Sequence, residues 1–162
     1  MQPWKMFIPW MWALHLIGAI WLSAGVLSSI VIFSQMKRTD TDLASRAFGL
    51  RAAWRLMVVF VVPGVIITGA LGFYLLHAFR IGFLPGWVKA SVVVYFILLA
   101  DILFVQVPAL RKAVRAAEAS RVAGAPTAEL LQVQQARLPA MLTHVNALLI
   151  FLLIFFMAFK PF

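Results

Sequence analysis

Three histidines and one aspartate lie inside long apolar stretches, where such side chains are rare. His15 lies in "WALHLIGAIW" (residues 12–21), His77 lies close to the end of a second apolar run, and Asp101 and His144 lie well inside two others. An imidazole or carboxylate in hydrocarbon is costly unless a hydrogen-bond partner, a metal or a cofactor satisfies it. The chemistry that these residue types support is haem ligation, metal binding or proton transfer.

Several other kinds of chemistry are excluded by what the sequence lacks. There are no cysteines, which rules out disulfides, thiolate metal ligands and iron–sulfur clusters. No Ser–His–acid arrangement and no glycine-rich phosphate loop stands out. Redox chemistry at a haem, or the binding of a metal ion, therefore fits the available side chains best.

The composition is that of a membrane protein. The 162 residues are 64% hydrophobic and 12% charged, with a mean hydropathy of +1.00, whereas a soluble domain is about 45–50% apolar and about 25% charged. Four apolar segments have about the 20 residues that cross a bilayer. We therefore predict an all-α fold, a single domain (1–162) built as a bundle of four transmembrane helices. The predicted spans are Phe7–Phe33, Trp54–Phe79, Trp87–Leu110 and Leu138–Phe159.

The net charge of +9 points to membrane orientation rather than to nucleic acid, because the basic residues cluster between the apolar segments. The positive-inside rule predicts that the first and third connections are cytoplasmic and that both termini face out. The third connection predicts a cytoplasmic helical hairpin, "ALRKAVRAAEASRVA" and "TAELLQVQQAR" separated by "GAP". The basic residues of the first connection are Lys37, Arg38, Arg46, Arg51 and Arg55, and those of the third are Arg111, Lys112, Arg115, Arg121 and Arg137.

A rise of 1.5 Å per residue sorts the polar residues by depth. His15 lies about 12 Å below the outer boundary, and His77 and Lys89 lie at about 5 Å. Asp101 and His144 both lie at about 24 Å, in the inner half of the bilayer. Because a lone carboxylate is expensive there, we predict that Asp101 and His144 approach each other, either as a structural hydrogen bond or as part of a proton relay.

His15 shares one helix face with small residues, and two interpretations fit. Small residues let helices pack closely in membranes, and they also leave a slot for a flat macrocycle beside the histidine. His77 and Lys89 either extend to the interface without further role, or act as a second haem ligand and as a partner for a haem propionate. The shared face comprises His15, Gly18, Leu22, Gly25 and Ser29.

The segment "ALHLIGAIWLSAGVL" resembles the first helix of the CopD-like superfamily of small four-helix membrane proteins, and the chain is similar to the HemJ-type protoporphyrinogen IX oxidases of that group. Arg55 and Pro63 in the second span, Trp87 and Lys89 in the third, and the final "AFKPF" match that type. The chain departs from it at "GVLSSIVIFSQ" and "THVN". The resemblance implies a protein of the bacterial inner membrane, with periplasmic termini and a b-type haem for which His15 is a ligand or an essential residue. It also implies oxidation of protoporphyrinogen, with electrons passing to the quinone pool or another acceptor.

Three functions remain open. The first is a haem b redox protein in which His15 is the metal ligand, His77, Lys89 and His144 are further cofactor-binding candidates, and Lys89 and Asp101 are the catalytic candidates. The second is CopD-like copper transport, for which Met6 and Met11 lie near His15 in sequence but not on its face. The third is an accessory subunit of a larger respiratory or photosynthetic complex. Membrane lipid is an expected partner in each, and homo-oligomers remain open.

Overall fold

The computed structural model describes residues 7–36, 42–81, 83–135 and 137–161, and it contains no strand within these ranges. Four helical stretches there are long and apolar enough to cross a membrane: Ile8–Gln35, Leu43–Ala78, Gly86–Ala123 and Met141–Phe159. The prediction of an all-α polytopic membrane fold is confirmed. The α-helices of the described residues are α1 (Ile8–Met36), α2 (Leu43–Leu56), α3 (Val62–Ala78), α4 (Gly86–Ala100), α5 (Val107–Ala123), α6 (Ala128–Gln135) and α7 (Arg137–Phe159).

Two short π-helical segments join these helices into longer rods. Met57–Val61 connects α2 to α3, and Asp101–Gln106 connects α4 to α5. Each segment ends two residues before a proline, Pro63 or Pro108, and the first residue after it donates its N–H to the carbonyl five residues back. A proline removes one N–H from the helical ladder and crowds the preceding turn, so a wider turn just before it lets the helix continue.

The centre of the bundle is an antiparallel pair formed by α1 and α3. Residue numbers rise along α1 as they fall along the facing side of α3. The two backbones approach so closely that glycine is needed where the helices cross. A Cβ on Gly64 would lie 2.8 Å from the backbone nitrogen of Leu22. This is the use of small residues that membrane helix packing favours. The facing positions are His15 with Gly72, Gly18 with Thr68, Leu22 with Gly64, and Gly25 with Val61.

The remaining long helices close the bundle on one side. α7 packs against both α1 and α4, whereas α4 has little contact with α3. Most of the buried apolar side chains form one cluster that runs through the whole assembly and includes Leu22, Val65, Leu98 and Ile102. We call the end at which α1 begins and α7 ends the terminal end, and the opposite end, where α2, α5 and α6 lie, the basic end.

The helices extend well past the membrane at the basic end. Leu43–Ala78 has 36 residues, which is about 54 Å of helix against about 30 Å of hydrocarbon. The excess is α2, which packs along α5 through small buried residues including Ala53 and Ala116. Arg51 Nε contacts a Glu118 carboxylate oxygen at 2.9 Å across this pair. The two helices form a stalk beyond the bilayer.

The helical hairpin predicted from the third connection is present as α5 and α6. α5 continues the axis of α4 and is held against α2. Gly124 ends α5 in the left-handed conformation, φ 69°, which glycine adopts without steric cost. The Ser120 hydroxyl accepts the Thr127 backbone N–H at 3.0 Å, which turns the chain into α6.

The first connection, for which no helix or strand was predicted, contains a helix before Trp54. Within the described part of it, α2 begins at Leu43 because Asp42 caps the helix: its carboxylate accepts the Ser45 backbone N–H at 2.9 Å. The pKa of Asp42 is lowered, mainly by its hydrogen bonds to Ser45. Two basic residues of this connection, Lys37 and Arg38, lie outside the described residues.

Candidate functional site

His15 is held by a single hydrogen bond to the neighbouring helix. Its Nδ1 lies 2.9 Å from the backbone carbonyl oxygen of Thr68. A carbonyl oxygen can only accept, so Nδ1 carries the proton and Nε2 of the neutral ring keeps its lone pair. A Cβ on Gly72 would lie 3.2 Å from Cε1 and 3.6 Å from Nδ1, with Nε2 beyond 4 Å. The free nitrogen is therefore the one directed away from α3.

The glycine face around His15 is filled by α3. A Cβ on Gly18 would lie 2.9 Å from the Thr68 hydroxyl oxygen, and Gly72 packs directly against the imidazole. Of the two interpretations of this face, close helix packing is what the structure shows, and no slot for a macrocycle lies between α1 and α3. The imidazole itself remains half-buried.

Two residues predicted to act with His15, namely His77 and Lys89, do not lie beside it. His77 is exposed and lines an open cleft of about 400 Å³ with Phe73, Leu76, Arg80 and Phe83. Lys89 is exposed on α4. Among the described residues, the hydrogen-bond partner of His15 is Thr68, and neither His77 nor Lys89 forms a hydrogen bond, ion pair or ring contact with it.

A second polar cluster lies in the half of the bundle nearer the basic end, between the Asp101–Gln106 segment and α7. Asn146 Nδ2 donates to Asp101 Oδ2 at 2.7 Å, and Gln106 Nε2 donates to the same oxygen at 3.4 Å. Thr143 donates its hydroxyl to Gln106 Oε1 at 3.4 Å. Gln106, Thr143 and Asn146 are buried, and Asn146 Oδ1 has no hydrogen-bond partner within the described part of the chain. We call these four residues the Asp101 cluster.

The predicted hydrogen bond between Asp101 and His144 was wrong, because the carboxylate is bound by Asn146 instead. His144 and Asn146 are two positions apart, which is about 200° around a helix. A helix that turns Asn146 toward α4 therefore turns His144 outward, and His144 is exposed. Depth along the span correctly predicted that Asp101 pairs with α7 at this level of the bundle, but it did not predict which face of α7 supplies the partner.

The sequence carried part of the signal for the three missed members of the cluster. Thr143 and Asn146 are three residues apart in "THVN" and so share a helix face. Gln106, in contrast, is five residues from Asp101, a spacing that places two side chains together only in a π-helical turn. Hydrophobic periodicity does not reveal such a turn.

A metal site made only of protein ligands is not found in the described residues. No three His, Asp or Glu side chains gather there. Of the methionines considered for copper, Met6 lies outside the described residues, and Met11 is partly buried on α1. The fold therefore offers His15 as an isolated nitrogen ligand.

Residues 10–161 match the model of the DUF2269 family, described as predicted integral membrane proteins. This chain belongs to that family. No curated sequence and no solved structure shows significant similarity to it. For this DUF2269 protein the match establishes an integral membrane protein, and it does not extend to the CopD-like or HemJ-type groups.

Proposed function

We propose that this DUF2269 protein is a membrane redox protein that binds a b-type haem through Nε2 of His15. The observation that carries the proposal is the hydrogen bond from Nδ1 to the Thr68 carbonyl. Histidines that bind metals almost always donate the other ring N–H to a carbonyl or carboxylate, which fixes the tautomer and the ring orientation. His15 has this arrangement within the apolar span Ile8–Gln35.

A haem suits this isolated histidine better than a free copper ion does. A porphyrin brings its own four nitrogen ligands and needs only an axial bond from the protein, whereas a copper site needs several protein ligands. Of the histidines, His15 would be the residue that holds the group. His77 and His144 are both exposed and would not share one iron with it inside the bundle. Since α3 fills the space on one side of the ring, the cofactor would approach from the Nε2 side.

When bound, a b-type haem supplies one-electron transfer, and the protein residues determine what reaches it. Lys89, exposed near the terminal end, offers a cation for a propionate or another anionic group. Asp101, about 22 Å along its helix from Gly86, is the candidate for handling a proton. A porphyrin or a quinone is the proposed redox partner.

We also propose the bacterial inner membrane as the location, with the terminal end periplasmic and the basic end cytoplasmic. The support is the clustering of arginine and lysine at the basic end, which the positive-inside rule assigns to the cytoplasm. A reporter fused after Phe162 that is active only in the cytoplasm would contradict this orientation.

The experiment is a reduced-minus-oxidised absorption spectrum of the purified protein, with haem measured per chain. Wild type should show a reducible Soret and α-band pattern. His15→Ala should lose most of the haem, and His144→Ala, a change of the same side chain at an exposed position, should keep it. His77→Ala tests whether a second ligand contributes.

Other results of this experiment would favour a different ligand or a different function. Full haem in His15→Ala overturns the ligand assignment. A haem-free wild type that contains copper by metal analysis favours the transport function. A wild type with neither leaves His15 as a packing residue and favours an accessory subunit of a larger membrane complex.

A further inference from the structure

An open basic cleft lies on α5 where that helix leaves the membrane. Its volume is about 380 Å³, and it is independent of the His15 site and of the Asp101 cluster. One part of its lining is apolar and the other is cationic, with one acidic side chain contributed by α6. The lining residues are Val107, Pro108, Arg111, Lys112, Arg115 and Glu129.

The cleft lies at the level of the lipid headgroups. α4 begins at Gly86, and about 30 Å of hydrocarbon takes about 20 residues of helix. The hydrocarbon therefore ends near Gln106, and the lining residues from Val107 to Arg115 follow directly. The apolar part of the cleft is next to the acyl chains, and the cationic part reaches into the headgroup layer.

The position of a tryptophan on the adjacent helix also indicates that the cleft lies at the level of the headgroups. Trp54 lies 24 residues from the end of α3 at Ala78, which is about 36 Å along the rod. The Arg111 guanidinium lies 5.7 Å from the centre of the Trp54 ring. Tryptophan is enriched at membrane interfaces, and its ring face attracts a guanidinium. This contact fixes one cation of the cleft beside the interface.

No ion pair among the described residues neutralises the cations of the cleft. Within the described ranges, the recorded salt bridges join Arg51 and Arg121 to Glu118. Arg111, Lys112 and Arg115 take part in none of them, and all three are exposed. Glu129 is the one acid in the lining, which leaves the cleft with a net charge of +2 from three cations and one carboxylate.

We propose that this cleft binds the phosphate of an anionic phospholipid headgroup. Lys112 and Arg115, with Arg111 held against Trp54, contact the phosphate, and Val107 and Pro108 contact the apolar glycerol and acyl region. Basic pockets beside membrane helices on the cytoplasmic side are known to bind such headgroups. A free phosphate ion would use the cations but gain nothing from the apolar part of the cleft.

The test compares two variants with the same loss of charge. Lys112→Gln/Arg115→Gln removes two cations from the cleft, and Arg51→Gln/Arg121→Gln removes two cations from the stalk outside it. Detergent-solubilised full-length protein is titrated with phosphatidylglycerol, with phosphatidylcholine and with inorganic phosphate, and bound lipid is measured by native mass spectrometry. Helix content by circular dichroism confirms that each variant is folded.

Wild type should bind phosphatidylglycerol in preference to phosphatidylcholine. At about a fivefold contribution per cation near an anionic surface, the cleft variant should bind it about 25-fold more weakly, and the stalk variant should stay within about threefold of wild type. Glu129→Gln should bind more tightly, because it removes the only negative charge of the cleft.

Three results overturn the proposal. Equal weakening in the two double variants means that only net charge matters. Equal affinity for the two lipids means that the headgroup charge is not recognised. Inorganic phosphate that competes as well as the lipid, molecule for molecule, means that the cleft binds a soluble anion. None of these measurements depends on haem, so their failure is separate from failure of the proposed function.

Discussion

The Asp101 cluster gives the sharpest test of the packing between α4 and α7. Asp101→Ala removes the carboxylate that accepts from Asn146 at 2.7 Å and, more weakly, from Gln106 at 3.4 Å. A hydrogen bond to a charged group contributes about 1.5–3 kcal/mol, and a buried donor left unpaired costs about 1–3 kcal/mol. Because Asn146 is 3% exposed, water does not replace the lost acceptor. We expect Asp101→Ala to lower the free energy of unfolding by about 2–3 kcal/mol.

A double-mutant cycle shows which residue Asp101 contacts. Asp101→Ala/Asn146→Leu removes the donor together with the acceptor, so the double variant should be less destabilised than the sum of the singles by about 1–2 kcal/mol. His144→Ala serves as the control, and its effect should simply add to that of Asp101→Ala, because His144 is exposed on the other face of α7.

The assay is reversible unfolding of the purified protein in mixed micelles, followed by helical circular dichroism. A coupling energy between Asp101 and His144 that exceeds the one between Asp101 and Asn146 would refute the arrangement of α4 and α7. Additive behaviour of Asp101 and Asn146 would show that the 2.7 Å hydrogen bond contributes nothing measurable.

Two further predictions concern the helix crossing and the stalk. Gly64→Ala places a Cβ 2.8 Å from the Leu22 backbone nitrogen, so it should lower stability by about 1–3 kcal/mol in the same unfolding assay, while Ala70→Gly, at an exposed site on the same helix, should cost only about 1 kcal/mol. For Asp42 the lowered pKa means that the charged cap stabilises α2 above the ordinary value of 3.8 and is lost as the pH falls through the lower, folded value. The protection factor of the Ser45 amide against hydrogen exchange should therefore fall at acid pH, and Asp42→Ala should show the lower protection factor already at neutral pH; an unchanged protection factor in that variant would contradict the capping role.

The general architecture could be predicted from the sequence because it depends on apolar length. Four segments of suitable length gave four spans, and "GAP" gave the break between α5 and α6, where Gly124 takes a left-handed conformation. The start of α2 could not be predicted in this way, because a polar, charged segment becomes a helix through the Asp42 cap and through burial against α5. Tertiary packing decided that element.

The site was predicted in depth but not in direction. Position along a span fixes depth to within a few ångströms, which is why Asp101 was assigned to the half of the bilayer nearer the basic end. The direction of a side chain depends on the angle about the helix axis, and one π-helical turn changes that angle for every residue beyond it. Asp101 begins such a turn, so an α-helical count could not have placed Gln106 beside it.

The His15 site and the Asp101 cluster are separate, so a mutation at one of them should not change the property measured at the other. His15 lies about 10 Å along α1 from Ile8, and Asp101 lies about 22 Å along α4 from Gly86. One belongs to the α1–α3 crossing and the other to the contact between α4 and α7, with apolar side chains such as Leu22 and Leu98 in the core between them. Effects of changes more than 7–10 Å apart usually add. Loss of haem on changing His15 and loss of stability on changing Asp101 thus report on different sites, and a coupled effect would require a movement of α7, which packs against both α1 and α4.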